Sequence, residues 1–98
     1  MKKRLQGFLM LFLALVVQVS FAQTRTISGT VTDDSGVPLP GVNVLISGTT
    51  TGTQTDFDGL YSIEASTGDV LTFSYVGFSP QDVTVGTSST IDVQLTAG

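Results

Sequence analysis

The sequence predicts an all-β domain, a two-layer β-sandwich of six or seven short strands. Three observations lead there. Apolar and polar residues alternate in six separate windows beyond Arg25, the period of a strand with one buried face. Clusters of Gly, Pro, Asp and Ser separate each window from the next, which is the chemistry of turns. No window carries the i, i+3, i+4 apolar stripe of a helix of useful length.

The elements follow in order. Residues 26–32 place Ile27, Gly29 and Val31 on one face. Residues 41–46 do the same with Val42, Val44 and Ile46, and a short extended piece near residues 51–55 supplies a seventh strand. Residues 60–64 present Tyr61 and Ile63. Residues 69–76 form the strongest window, with Leu71, Phe73 and Tyr75 on one side. Residues 81–85 offer Val83 and Val85, and residues 90–95 offer Ile91, Val93 and Leu95. Between them stand Asp34-Ser-Gly36, Pro38-Leu-Pro40-Gly41, Ser47-Gly48, Asp56-Phe-Asp-Gly59, Thr67-Gly68, Gly77 and Gly86-Thr-Ser-Ser89. Thr and Ser fill the remaining positions, where they suit the solvent face of a strand. A core of this size supplies only ~3–5 kcal/mol of stability and leaves little for a deep ligand pocket.

The first 22 residues are of another kind. Lys2, Lys3 and Arg4 form a basic start, residues 8–17 are an unbroken apolar run, and Ser20 and Ala22 are small residues at its polar end. This is the pattern of a secretory signal peptide, with the cut expected between Ala22 and Gln23. A membrane span needs ~20 apolar residues, so the run is too short to anchor the chain. No Cys stands near the cut to carry a lipid. Residues 23–98 then form the mature domain, outside the cytoplasm and without a membrane span.

Composition narrows the chemistry. The chain of 98 residues has no Cys, His or Trp, so it offers no disulfide framework and no Cys or His ligand or base. Residues 23–98 hold Arg25 as their only cation against eight carboxylates, a net charge of −7. So acidic a body does not neutralise phosphates, which makes nucleic acids and anionic membrane surfaces poor partners. It also has no Lys for a Schiff base or a Ser–Lys pair.

Three groups of residues merit individual weighing. Asp56-Phe57-Asp58-Gly59 is similar to the middle of a calcium loop, but aligning Gly59 with that loop's glycine puts Gln54 and Ala65 at essential ligand positions. The expected role of Asp56, Asp58 and Gly59 is a tight structural turn, with no metal and no cofactor. The pairs Asp33/Asp34 and Asp56/Asp58 resemble acid–base pairs only in spacing. Each stands beside a turn glycine, and no nucleophile activator, sugar-stacking Trp or cationic clamp accompanies them. Catalysis is not expected. Tyr75-Val-Gly-Phe78 is expected to cover the end of the core, with Gly77 permitting a bulge or bend and Pro80 protecting the edge beyond it.

Longer strings carry a family resemblance. Ile27-Ser-Gly-Thr-Val-Thr-Asp33 with Gly36-Val-Pro-Leu-Pro-Gly-Val-Asn-Val44 is similar to the opening of the carboxypeptidase-regulatory-like domain. The string from Gly48 through Thr55-Asp-Phe-Asp-Gly-Leu-Tyr-Ser-Ile63 resembles its middle signature. Leu71-Thr-Phe-Ser-Tyr-Val-Gly-Phe78 is similar to the variant at the mature N-terminus of SusC/RagA-type TonB-dependent outer-membrane transporters of Bacteroidetes. The resemblance spans residues 26–95 and implies a seven-stranded transthyretin-like (prealbumin-like) sandwich. It further implies a periplasmic position ahead of a TonB-box segment, a plug and a β-barrel. Those transporters import glycans or peptides with a surface lipoprotein, powered by the TonB complex. The implied partners are thus the parent transporter's plug and barrel and TonB-system proteins. Their substrate-contacting residues lie in plug, barrel and loops, so no binding residue carries over. The sequence reaches Gly98 before any Val-rich TonB-box-like stretch. The expectation is therefore either a piece of a longer gene or a short secreted protein of this domain alone. Two other settings stay open: a secreted or cell-surface structural or adhesin module, and the accessory domain of a secreted metallocarboxypeptidase. The DNA downstream of codon 98 separates these settings.

The first test is of processing. The exported product should begin at Gln23, as read by intact mass. A membrane-bound product that keeps residues 1–22 overturns both the cleavage and the export expectation.

Overall fold

Seven strands and no helix make up residues 24–98, which the computed structural model describes. The expected leader, residues 1–22, and the expected cut at Ala22–Gln23 lie outside the described residues. The strands are β1 (Thr24–Thr32), β2 (Asn43–Ile46), β3 (Gly52–Gln54), β4 (Leu60–Ser66), β5 (Val70–Ser74), β6 (Gln81–Thr84) and β7 (Val93–Gln94). They form a three-stranded sheet, β4-β1-β7, and a four-stranded sheet, β3-β2-β5-β6. The all-β, two-sheet architecture is the one the alternation predicts.

Register puts the apolar sets inward. β1 pairs antiparallel with β4 from Thr24↔Ser66 to Thr30↔Leu60, which aligns Ile27 and Val31 with Tyr61, Ile63 and Ala65 on one buried face. β2 pairs antiparallel with β5, Val44 opposite Phe73 and Ile46 opposite Leu71. Thirteen apolar side chains between Ile27 and Leu95 are buried and pack as one cluster. Phe73 meets Tyr61 edge-on, 5.3 Å between centroids at 76°, the geometry aromatic quadrupoles favour. Burying each large apolar side chain stabilises by ~1.5–3 kcal/mol. No buried side-chain N or O among the described residues lacks a hydrogen-bond partner. Residues 24–98 thus carry a closed core of their own.

Two strands, β5 and β7, are shorter than alternation predicts by three residues or more, each for a local reason. β5 stops at Ser74 because the Tyr75 carbonyl accepts the Phe78 N–H at 3.1 Å and turns the chain. Gly77 is therefore part of a turn rather than a bulge. β7 shrinks to Val93–Gln94, parallel to β1 through Val31↔Val93. Just before it, the Asp92 carboxylate takes the Thr30 N–H at 2.9 Å, where a strand would offer a backbone carbonyl. The Ile91 carbonyl accepts the Tyr61 hydroxyl at 2.6 Å instead. Gly29 makes this crossing possible: a Cβ there would lie 1.9 Å from the Ile91 oxygen.

The last residues join the two sheets. Beyond its β1 pairing, the chain runs beside the β5–β6 connection through the Phe78↔Ala97 bridge and a Ser79 N–H to Thr96 carbonyl bond of 2.9 Å. Residues 96–98 thereby cover the stretch before Pro80. At the opposite end of the sandwich, Arg25 donates to the Thr67 and Ser89 hydroxyls and to the Gly86 and Ser88 carbonyls, tying the β4–β5 and β6–β7 connections to the start of β1.

Tyr61 gives this core a pH signature. Burial first, and the Asp92 carboxylate second, push its phenol from 10.0 up to about 12. The folded state then holds the proton more tightly than the unfolded chain. The stability this contributes is complete below pH 10 and is lost as pH rises towards 12. Thermal melts across that window should show the loss, and Tyr61→Phe should flatten it while lowering stability at neutral pH.

Candidate functional site

One end of the sandwich collects the residues that the sequence marks as chemically interesting. β1 ends there, β4 and β2 begin there, and β5 ends there. The Asp33 turn, the Asp56 turn, the Pro38–Gly41 segment and the Tyr75–Phe78 turn all sit at that end.

The two Asp turns share one design. The Asp33 Oδ1 accepts the N–H groups of Ser35 at 2.8 Å and Val37 at 2.9 Å, and the Asp33 N–H donates to the Val37 carbonyl at 2.9 Å. The Asp56 Oδ1 accepts from Asp58 at 2.9 Å and Leu60 at 3.0 Å, and its N–H donates to the Leu60 carbonyl at 2.9 Å. In both, the glycine three residues on donates to the Asp carbonyl and adopts positive φ, 82° at Gly36 and 76° at Gly59. A short carboxylate accepting two following N–H groups is a backbone template. Adjacency in sequence pairs Asp33 with Asp34 and Asp56 with Asp58. The fold instead pairs each first Asp with its glycine and uses Asp58 through its backbone N–H. The shared Asp-x-x-Gly spacing is the signal that points to this.

Thr55 is the residue that sequence reasoning missed. It is the one buried polar residue among the described residues. Its hydroxyl donates to the Leu39 carbonyl at 2.6 Å and accepts the Val42 N–H at 2.9 Å. Its own N–H and carbonyl bond Val42 and Gly41 at 3.1 and 3.0 Å. Four hydrogen bonds thereby fasten residues 39–42 against the start of the Asp56 turn. A lone Thr among many reads as a solvent-facing strand residue, so alternation does not flag it.

The surface of this end is apolar and acidic together. Phe57 is 95% exposed and Val76 92% exposed. Beside Phe57 lies an open depression of about 380 Å³ lined by Pro40, Gly41, Thr55, Asp56 and Phe57. Tyr75 and Phe78 are half-buried against the core, centroids 5.9 Å apart, and so cap that end as the sequence predicts. A second depression of about 580 Å³ lies on the outer face of the four-stranded sheet, over Asn43, Leu45, Gln54, Thr72 and Ser74. It presents amides and hydroxyls, with Gln54 Nε2 donating to Asn43 Oδ1 at 2.8 Å, and no titratable group lines it.

Chemically, the Asp33 and Asp56 carboxylates are occupied by backbone donors. Among the described residues no three His, Cys, Asp or Glu side chains converge as a metal site. This end is built of templated turns and exposed apolar side chains. The fold is that of a small β-sandwich domain.

The chain belongs to the CarboxypepD_reg-like domain family, which matches residues 27–97. It is 55% identical over 78 residues to the TonB-dependent receptor P26 of Formosa agariphila, covering 80% of this chain and 8% of that protein. It is 43% identical over 95 residues to TonB-dependent receptor P3 of the same organism, covering 95% of this chain and 10% of the receptor. It is 44% identical over 78 residues to the TonB-dependent receptor SusC of Bacteroides thetaiotaomicron, covering 79% of this chain and 8% of SusC. The chain thus spans a tenth or less of the receptors it matches. Among solved structures, a chain of a type II cohesin–X–dockerin complex from Acetivibrio cellulolyticus superposes with a TM-score of 0.61 at 21% identity. That match covers 74% of this chain and 58% of the other, and the likeness is one of fold.

Crowding at the turns yields a graded prediction. A Cβ at Gly36 would meet nothing within 4 Å, whereas one at Gly59 would lie 2.7 Å from the Val31 oxygen and 3.0 Å from Pro38 Cβ. Gly36→Ala should therefore cost only the left-handed backbone penalty, ~1–2 kcal/mol, and Gly59→Ala clearly more in urea denaturation. Thr55→Val, which strands a buried N–H and a carbonyl, should cost ~1–3 kcal/mol. Equal costs at the two glycines would mean that the turns are not packed as described.

Proposed function

We propose that this chain is a non-catalytic module of a TonB-dependent outer-membrane receptor of the SusC/RagA type. In this reading residues 1–22 are removed on export and residues 23–98 lie at the periplasmic face of the outer membrane, ahead of the plug and barrel. The module serves nutrient import, of glycans or peptides, through contacts with the receptor or with the proteins that energise it. Asp56, Asp58 and Gly59 act as a structural turn, and no cofactor takes part. The observation that carries the reading is the match of most of the chain to receptors about ten times its length, at 43–55% identity. The geometry supports it: the Asp33 and Asp56 carboxylates are committed to turns, and the exposed features suit binding.

The experiment is a deletion in the receptor that carries this domain. Removing residues 26–95 while keeping the leader and the TonB-box region should leave the barrel assembled at normal levels. Growth on the transported nutrient should fall. Asp33→Asn or Asp58→Asn alone should cost about 1 kcal/mol of stability or less, with little loss of uptake. If a single Asp→Asn change abolishes growth while protein level and melting temperature hold, the carboxylate is a chemical or binding group and the reading is wrong.

A further inference from the structure

We propose that the end of the sandwich around Phe57 is a docking surface for a positively charged protein segment, one that seats an apolar side chain beside Phe57. The inference rests on the module reading above and assigns that module its contact surface.

Phe57 is the starting point. Its turn is held by Asp56 and by the backbone of Asp58, Gly59 and Leu60. The ring itself makes no part of that framework and is 95% exposed. The turn's hydrogen bonds do not call for an aromatic side chain there, which leaves the ring free for a contact outside the domain. Val76 repeats the pattern. It sits within the Tyr75–Phe78 turn, whose closing bond is backbone to backbone, and is 92% exposed. Val37 and Leu60, 54% and 47% exposed, close the two Asp turns at the same end. Four of the five large exposed apolar residues among the described residues therefore share one end. Such grouping marks a contact surface, whereas single scattered apolar residues do not.

Shape and charge select the occupant. The depression between Phe57 and the Pro40–Gly41 segment, about 380 Å³ in volume, is open and mostly apolar, so it can seat an apolar side chain of a docked segment without enclosing a ligand. Asp56 lines it, and Asp33, Asp34 and Asp58 stand in the two turns at the same end. The only cation of residues 24–98, Arg25, is held by hydroxyls and carbonyls at the opposite end. An acidic rim with no local counter-charge attracts Lys and Arg and repels carboxylates and phosphates. It therefore disfavours an anionic bilayer, into which protruding Phe57 and Val76 would otherwise insert. It equally disfavours a second copy of this chain, which would bring the same acidic end. A protein segment that sets Lys or Arg on both sides of a Leu-sized side chain satisfies both the notch and the rim.

The test uses isotope-labelled residues 24–98 and a short peptide of alternating lysine and leucine, with the glutamate–leucine peptide as its counterpart. The cationic peptide should shift amide resonances of Asp34, Phe57, Asp58 and Val76. Phe57→Ser should weaken binding by about tenfold with the melting temperature unchanged, and Val76→Ser should weaken it less. The acidic peptide should not bind. Shifts spread equally over Asp69, Asp82 and Asp92 would overturn the proposal, as would undiminished binding by Phe57→Ser. Association with phosphatidylglycerol vesicles, or a dimer lost in Phe57→Ser, would replace the segment by a membrane or a second copy. In the receptor, Phe57→Ser with Val76→Ser should reproduce the growth defect of the domain deletion. A defect on deletion without one in the double variant removes this surface and leaves the module reading standing. A harmless deletion removes the module reading itself.

Discussion

The backbone of Val31 holds the candidate end together. Its N–H donates to the Gly59 carbonyl at 2.8 Å and its carbonyl accepts the Leu39 N–H at 2.9 Å, while its side chain is fully buried. One residue thus fixes the Asp56 turn on one side and the Pro38–Gly41 segment on the other. The close packing at Gly59 follows, because both neighbours are drawn to the same peptide groups. Thr55 completes the arrangement from the second sheet. The exposed position of Phe57 is then a result of rigid surroundings, since the turn that carries it is pinned at Asp56, Gly59 and Leu60.

A sandwich of this size without disulfides or ion-pair networks depends on side chains that replace missing backbone partners. Asp92 does so for Thr30, Asp69 Oδ2 for Ser66 at 2.9 Å, and Asp56 for Leu60. Two of these seal the ends of β4, an outer strand of its sheet. An outer strand presents unpaired peptide groups to other chains, so sealing its ends shortens the stretch that is open to pairing. Much of the domain's acidity therefore has a structural use, and the surplus that faces solvent is left to shape what the domain attracts.

The strands were readable because alternation reports burial directly. Ile27, Val31, Val42, Val44, Leu71, Phe73, Val93 and Leu95 lie inside as their spacing predicts. The shortened β7 was not readable, since nothing in a period of two reveals that the Asp92 side chain displaces a backbone carbonyl. Gly29 fell on the correct face, yet its use as a gap for the Ile91 carbonyl requires knowing which chain crosses it. Thr55 looks like any other Thr until residues 39–42 are seen folded onto it. At the candidate end, the turn glycines made the Asp56–Gly59 turn legible, but nothing in the sequence separates Asp56, whose carboxylate templates the turn, from Asp58, which contributes its backbone N–H. Phe57 carried no periodic signal, because an exposed turn residue answers to no packing rule.

The pairing of β1 with β7 bears on the order in which this chain acquires its structure. The Thr30–Asp92 bond spans 62 residues of sequence, and β1 is the middle strand of its sheet. Contacts between distant segments incur a large loop-closure entropy and slow folding towards the millisecond-to-second range. In sequence β1 comes first, and its parallel partner β7 follows only after five other strands. β1 can pair with β4 before that, but its second side stays open until the segment around Asp92 folds onto it. The middle strand of this sheet is therefore the first in sequence and the last to be fully paired.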